Sequence, residues 1–160
     1  MSALAVARGV TRRFRQILAV SDAHVSVDPG EVVGLVGANG AGKTTLIRVL
    51  LGLLPPTAGE VELFGEAPSV RTRRRVGYVS QGLGLYPDLS VVENLSFAAA
   101  AYDVRSPRLD DDLAAIRDRP VGELPLGLRR RVAFAAATGH DPQLLVLDEP
   151  TSGVGPLGRA

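Results

Sequence analysis

Gly37-Ala38-Asn39-Gly40-Ala41-Gly42-Lys43-Thr44 fits the phosphate-binding loop pattern G-x-x-x-x-G-K-[S/T] at every fixed position. Lys43 is the only lysine in the chain, although lysine and arginine together number 18. A composition so biased toward arginine would place arginine here if any cation served. A compact ammonium suits a loop wrapped around phosphate better than a planar fork does. The flanks agree with the loop. Glu31-Val32-Val33-Gly34-Leu35-Val36 reads as a buried strand running into it, and Thr44–Leu54, apolar on most faces, reads as a buried helix leaving it. A helix N-terminus offers unpaired N–H groups and a partial positive charge to an anion. Gly37, Gly40 and Gly42 let the backbone approach phosphate without Cβ clashes. Lys43 is positioned to reach β- and γ-phosphates, and the Thr44 hydroxyl to complete a Mg²⁺ site. The pattern predicts nucleotide binding.

A second motif closes the chain's last apolar run, Leu144-Leu145-Val146-Leu147-Asp148-Glu149-Pro150-Thr151. Two carboxylates at the end of an apolar strand are costly to bury unless a metal or water-activation site uses them. Asp148 suits a Mg²⁺ ligand and Glu149 a general base for an attacking water. The alternative is a strand ending in acidic turn residues.

The bulk properties describe one globular domain of 160 residues, 46% apolar and 22% charged. A net charge of +1 gives no reason to expect nucleic acid as partner. The absence of cysteine removes disulfides and thiol–metal sites. No apolar run approaches membrane-spanning length, so any membrane role must come through a partner. Strand signals occur at 3–10, 24–27, 59–64, 76–79 and 143–147, and helical signals at 90–102, 109–117 and 128–138. Ser90 with Glu93 three residues on forms a capping box. Strands alternating with helices imply an α/β fold with a mainly parallel sheet and a helical insertion at about residues 82–142.

Together these motifs resemble the nucleotide-binding domain of ATP-binding cassette (ABC) proteins, and the similarity runs nearly end to end. Gly37–Thr45 resembles the Walker A motif, with Asn39, Ala41 and Thr45 joining the residues already named as ATP contacts. Tyr78-Val79-Ser80-Gln81 resembles the Q-loop, whose Gln81 the resemblance assigns to Mg²⁺ and catalysis, and Leu144–Glu149 resembles Walker B. Phe14 falls where the family stacks an aromatic on adenine; by composition alone it reads more readily as core. Leu85–Leu95 resembles the corresponding stretch of exporters of the drug-resistance and ABC-2 type. The resemblance implies a P-loop NTPase with a RecA-like core at 1–81 and 143–160, an N-terminal antiparallel β portion and a helical subdomain at 82–142. It implies an ATPase subunit, paired with a second cassette and docked through an integral-membrane subunit on the inner face of the cell membrane.

Three departures accompany these matches. Where the family has Leu-Ser-Gly-Gly-Gln, this chain has Leu124-Pro125-Leu126-Gly127-Leu128, losing the serine hydroxyl, a backbone N–H and an amide. Gly155 stands where the D-loop usually has aspartate. The sequence ends at Ala160, before the segment carrying the family's switch histidine; His24 and His140, the only histidines, read as a strand and a turn residue. In the implied strand order this leaves two inner edges unpaired, and a marginal or rearranged sheet is expected. The alternative reading is a degenerate or truncated cassette with little or no ATPase activity. A soluble ABC-type ATPase of translation or repair would carry tandem cassettes or a basic nucleic-acid patch, and the chain shows neither.

Overall fold

A computed structural model of the chain describes residues 3–105 and 109–150. The chain divides into two compact units, one up to Val76 and one from Gly77 onward.

The first unit is built on β1 (Ala5–Phe14), which pairs antiparallel with both β2 (Ile17–Val27) and β3 (Ala58–Leu63), giving the order β2-β1-β3. The antiparallel N-terminal sheet implied above is therefore present. β2 is much longer than the 24–27 signal, because Arg15 and Gln16 close a two-residue hairpin loop that pairs Phe14 with Ile17. Arg15 takes φ 53°, without the glycine or asparagine that normally advertises such a turn. Helix α1 (Lys43–Leu50) packs on this sheet with Ile47, Val49 and Leu50, where Ala5, Val10 and Leu63 are also buried. The chain then runs through α2 (Val70–Arg73), capped by a reciprocal Ser69–Thr72 box.

Glu31–Val36 is not a strand. It pairs with nothing among the described residues, and Val32 and Val36 are 96% and 98% exposed. The correction has a simple cause. A buried strand must hand its N–H and C=O groups to neighbouring ladders. Among the described residues no strand lies alongside this segment, so a run of the right composition remains unpaired.

In the second unit β4 (Val76–Val79) and β5 (Leu144–Leu147) form a two-stranded parallel sheet. Between them come α3 (Val91–Tyr102), α4 (Asp111–Ala114) and α5 (Leu126–Thr138). Val91, Leu95, Leu113, Val121, Leu124 and Val132 make the helical core, while Val79 packs with Ala133 and Ala137 of α5. The expected burial of β5 holds only for Leu144; Leu145 and Leu147, two residues apart and so on one face of the strand, are each 38% exposed. The capping box at Ser90 and Glu93 forms as predicted. The 109–117 helix shrinks to α4 because the amides of Val91 and Val92 bond to the carbonyls of Arg119 and Arg117, drawing that segment out of helical register. Among the described residues no helix is long and apolar enough to cross a membrane.

In amide hydrogen exchange, residues 32–36 should exchange with almost no protection while the β1–β2 ladder exchanges slowly; protected amides at Val32 to Val36 would contradict the unpaired segment. Glu93 accepts bonds from the Ser90 amide and hydroxyl, which hold its carboxyl below the usual 4.5. A depressed folded value means the contribution is present above pH 4.5 and lost as pH falls below it. The urea midpoints of wild type and Glu93→Ala should therefore differ at neutral pH and converge on acidification.

Candidate functional site

The predicted site residues fall in both units. In the first, the loop from Gly37 to Gly42 delivers the chain into α1 at Lys43, with Thr44 and Thr45 following in the first turn. Gly42 caps the helix in the left-handed region at φ 87°, and a Cβ there would lie 2.1 Å from the Ala19 carbonyl oxygen of β2. Only glycine satisfies both constraints. Gly40 is also left-handed, at φ 81°, with open space where its Cβ would be. Lys43 Nζ donates to the carbonyls of Gly37 and Ala38, both at 2.9 Å, so the ammonium is folded over the loop. A crevice of about 370 Å³ beside the loop is lined by Gly42, Lys43, Leu46, Leu18 and Val36. Asn39 and Ala41 are exposed, and the Ala41 amide turns back to Ala38.

Phe14 is not a core residue. It is 39% exposed at the end of β1, with the Arg12 guanidinium over its ring at 4.6 Å. Neither histidine joins a site: His24 sits in β2 with Asp22 and the Gly9 amide, and His140 stacks flat on Tyr102 at 3.7 Å.

In the second unit the structure brings Gln81, Asp148 and Glu149 together at one end of the β4–β5 sheet. The Asp148 amide bonds to the Val79 carbonyl at 2.9 Å, continuing the ladder past β5, and the residue is only 3% exposed. The Tyr78 hydroxyl approaches Asp148 Oδ2 at 3.5 Å. Gln81 Nε2 donates to Glu149 Oε2 at 3.0 Å. Glu149 has φ 52°, a left-handed conformation that turns its carboxylate out of strand alternation. These groups open on a cleft of about 740 Å³, with Arg130, Phe134 and Leu126 of α5 on its wall. At the opposite end of the sheet Gly77 lets α5 come close, since its Cβ would lie 2.3 Å from the Ala137 carbonyl oxygen.

The segment from Leu124 to Leu128 does start a helix. Pro125 stands at the N-cap of α5 with no side-chain cap, and Arg129 Nε bonds to the Leu124 carbonyl at 2.9 Å. Arg129 closes the helix start, Arg130 and Arg131 both line the cleft, and Arg131 also bridges Asp110 and Asp112 at 2.8 and 2.6 Å. Two contacts escaped the sequence reading. Arg12 lies two residues before Phe14 on the same strand face, a spacing that could have signalled the pair. The Tyr78–Asp148 approach joins strands far apart in sequence and left no signal. Thr151 and the D-loop stretch with Gly155 lie outside the described residues.

Two glycine variants separate the roles of the two helix-starting motifs. Gly42→Ala should lower stability by about 1–3 kcal/mol or disorder the loop, since it meets a backbone carbonyl in a left-handed conformation. Gly127→Ala meets nothing within 4 Å in a helix and should be neutral or stabilising by about 0.5–1 kcal/mol. Urea denaturation of both variants checks this; equal effects would refute it.

The model of the family described as ABC transporter matches residues 20–152. The probable multidrug ABC transporter ATP-binding protein YbhF of Escherichia coli is 36% identical, over 96% of this chain and 28% of that protein. The bacitracin transport ATP-binding protein BcrA of Bacillus licheniformis is 35% identical, over 99% of this chain and 55% of the relative. The Nod factor export ATP-binding protein I of Burkholderia lata is 43% identical, over 95% and 54%. The chain thus spans about half the length, or less, of these curated relatives. Among solved structures, cbiO1 from Clostridium perfringens superposes with a TM-score of 0.77 at 25% identity, covering 99% of this chain and 70% of that one. An ATP-binding subunit of an ABC transporter gives 0.80 at 26% identity, covering 94% and 68%. The chain belongs to the ABC transporter family, as one of its ATP-binding domains.

Proposed function

We propose that the chain is the ATP-binding part of an ABC exporter, coupling ATP binding and hydrolysis to export through a membrane partner. The observation that carries this reading is the Gln81–Glu149 hydrogen bond beside buried Asp148, in a chain whose other motif is a complete phosphate loop. The names of the relatives, a multidrug, a bacitracin and a Nod factor transport protein, support export.

In this reading the phosphates lie against the loop from Gly37 to Gly42 and the first turn of α1, where the helix dipole favours negative charge. Asn39, Ala41, Thr44 and Thr45 contribute backbone contacts around them. Lys43 exchanges its two carbonyl partners for phosphate oxygens. Phe14 stacks on the adenine. Glu149 takes a proton from the attacking water, and Gln81, bonded to its carboxylate, holds that oxygen in orientation.

Mg²⁺ belongs to the same proposal, with Thr44, Gln81 and Asp148 as its protein oxygens. The donor set fits this ion. Among the described residues no group of three or more acidic, histidine or cysteine side chains is placed to hold a metal ion by itself, and Mg²⁺ needs none, since phosphates and water complete its shell. When bound it neutralises phosphate charge. We further propose the division into a nucleotide core at 1–81 and 143–160 with a helical part at 82–142, pairing with a second cassette, and residence on the cytoplasmic face through a membrane subunit.

Thermal unfolding tests the binding half. MgATP at 100 times its dissociation constant should stabilise wild type by about 2.7 kcal/mol and leave Lys43→Ala unmoved. Phosphate release tests the other half: Glu149→Gln should retain the thermal shift and lose hydrolysis. A transition blind to MgATP would sink the whole reading. A shift without hydrolysis in wild type would leave a binding module.

A further inference from the structure

Arg12 and Phe14 stand two residues apart on β1, so the pleat puts both side chains on one face of the hairpin. The guanidinium lies 4.6 Å from the ring centroid. Its Nη1 donates to the Pro55 carbonyl at 2.8 Å, while its Nε is buried and finds no hydrogen-bond partner among the described residues. A buried N–H left without an acceptor is unfavourable, so a side chain free to swing into water would not rest this way. What compensates is the ring beneath it, which attracts a cation to its face.

The neighbouring backbone is braced in the same place. The Arg13 amide bonds to Thr57 Oγ1 at 3.0 Å, and the Thr57 amide to the Thr11 carbonyl at 2.7 Å. Pro55 and Thr57 belong to the turn that leaves α1, the helix whose first residue is Lys43. Arg12 therefore ties the Phe14 ring to the far end of the helix that begins in the phosphate loop. With a cation against it and 39% of the residue open to solvent, that ring is held as a platform rather than packed as core.

We infer that Arg12 is a positioning residue for the nucleotide base: it fixes the Phe14 ring so that the base stacks there while the phosphates occupy the loop. The inference rests on the reading of Phe14 as the adenine platform. The cation also draws π density toward itself, which lessens the repulsion between the ring and a stacked purine.

Titration calorimetry with two ligands tests this. MgATP carries the base; magnesium tripolyphosphate carries the same phosphates without base or ribose. Wild type, Arg12→Met, Phe14→Ala and the double variant are compared. Arg12→Met should weaken MgATP about three- to tenfold and leave tripolyphosphate within about twofold. Phe14→Ala should weaken MgATP at least as much, and in its background Arg12→Met should add nothing. Retained tripolyphosphate binding shows that each variant keeps a folded loop. Equal loss of both ligands in Arg12→Met would mean that Arg12 touches phosphate or merely holds the fold, and overturns the inference. Loss of MgATP affinity in Phe14→Ala with none in Arg12→Met overturns it while sparing the platform reading. No effect of Phe14→Ala on MgATP removes the platform reading and the inference together.

Discussion

The contact between Gly42 and the Ala19 carbonyl is the point on which the phosphate half of the site turns. A helix that begins in a loop has no preceding turn to orient it, so something outside must set where its first N–H groups aim. Here β2 does so, by presenting a backbone carbonyl where any side chain on Gly42 would sit. The left-handed cap then swings the chain into α1 with Lys43 as its first residue, and the ammonium falls back over the Gly37 and Ala38 carbonyls. The hairpin is thus part of the site. It carries Phe14 at its tip and Ala19 behind the loop, and a bond from Arg12 to the turn after α1 joins the two ends of that helix's surroundings.

The acidic half depends on satisfying polar groups in an apolar setting. Asp148 is almost wholly buried, which a bare carboxylate resists strongly; its amide continues the ladder to Val79 and the Tyr78 hydroxyl lies nearby. Asn94 solves the same problem on α3. It is 3% exposed, yet its amide bonds to the carbonyls of Tyr86, Leu89 and Ser90 and accepts from the Tyr86 amide. One side chain thereby shapes the loop that follows Gln81. The proline at the start of α5 is handled locally as well, since Arg129 takes up the Leu124 carbonyl that precedes it.

Sequence reading succeeded where a feature depends on residues within one turn of each other. The Ser90–Glu93 box is an i to i+3 relation, and it formed with its reciprocal bonds. The loop-to-helix passage at Lys43 is equally local, and the short strands at 76–79 and 144–147 were legible as apolar runs, although their ladder joins distant parts of the chain. It failed at Glu31–Val36, where composition spoke for a buried strand and the described residues supply no ladder for it. It also missed residues 17–23 of β2, whose exposed, poorly alternating pattern is stabilised by pairing with β1 rather than by burial.

The sequence by itself determined the phosphate loop, its single lysine and the acidic strand end, because glycine, lysine and carboxylate at fixed short spacings have few other uses. It determined the family for the same reason. Only the tertiary structure decided which apolar run became a strand, that Phe14 faces solvent beside Arg12, and that Gln81 reaches Glu149 across 68 residues of chain. Those outcomes depend on what stands opposite a residue in space. A ladder partner, a stacked cation or a carboxylate acceptor contributed from elsewhere leaves no mark in the local pattern.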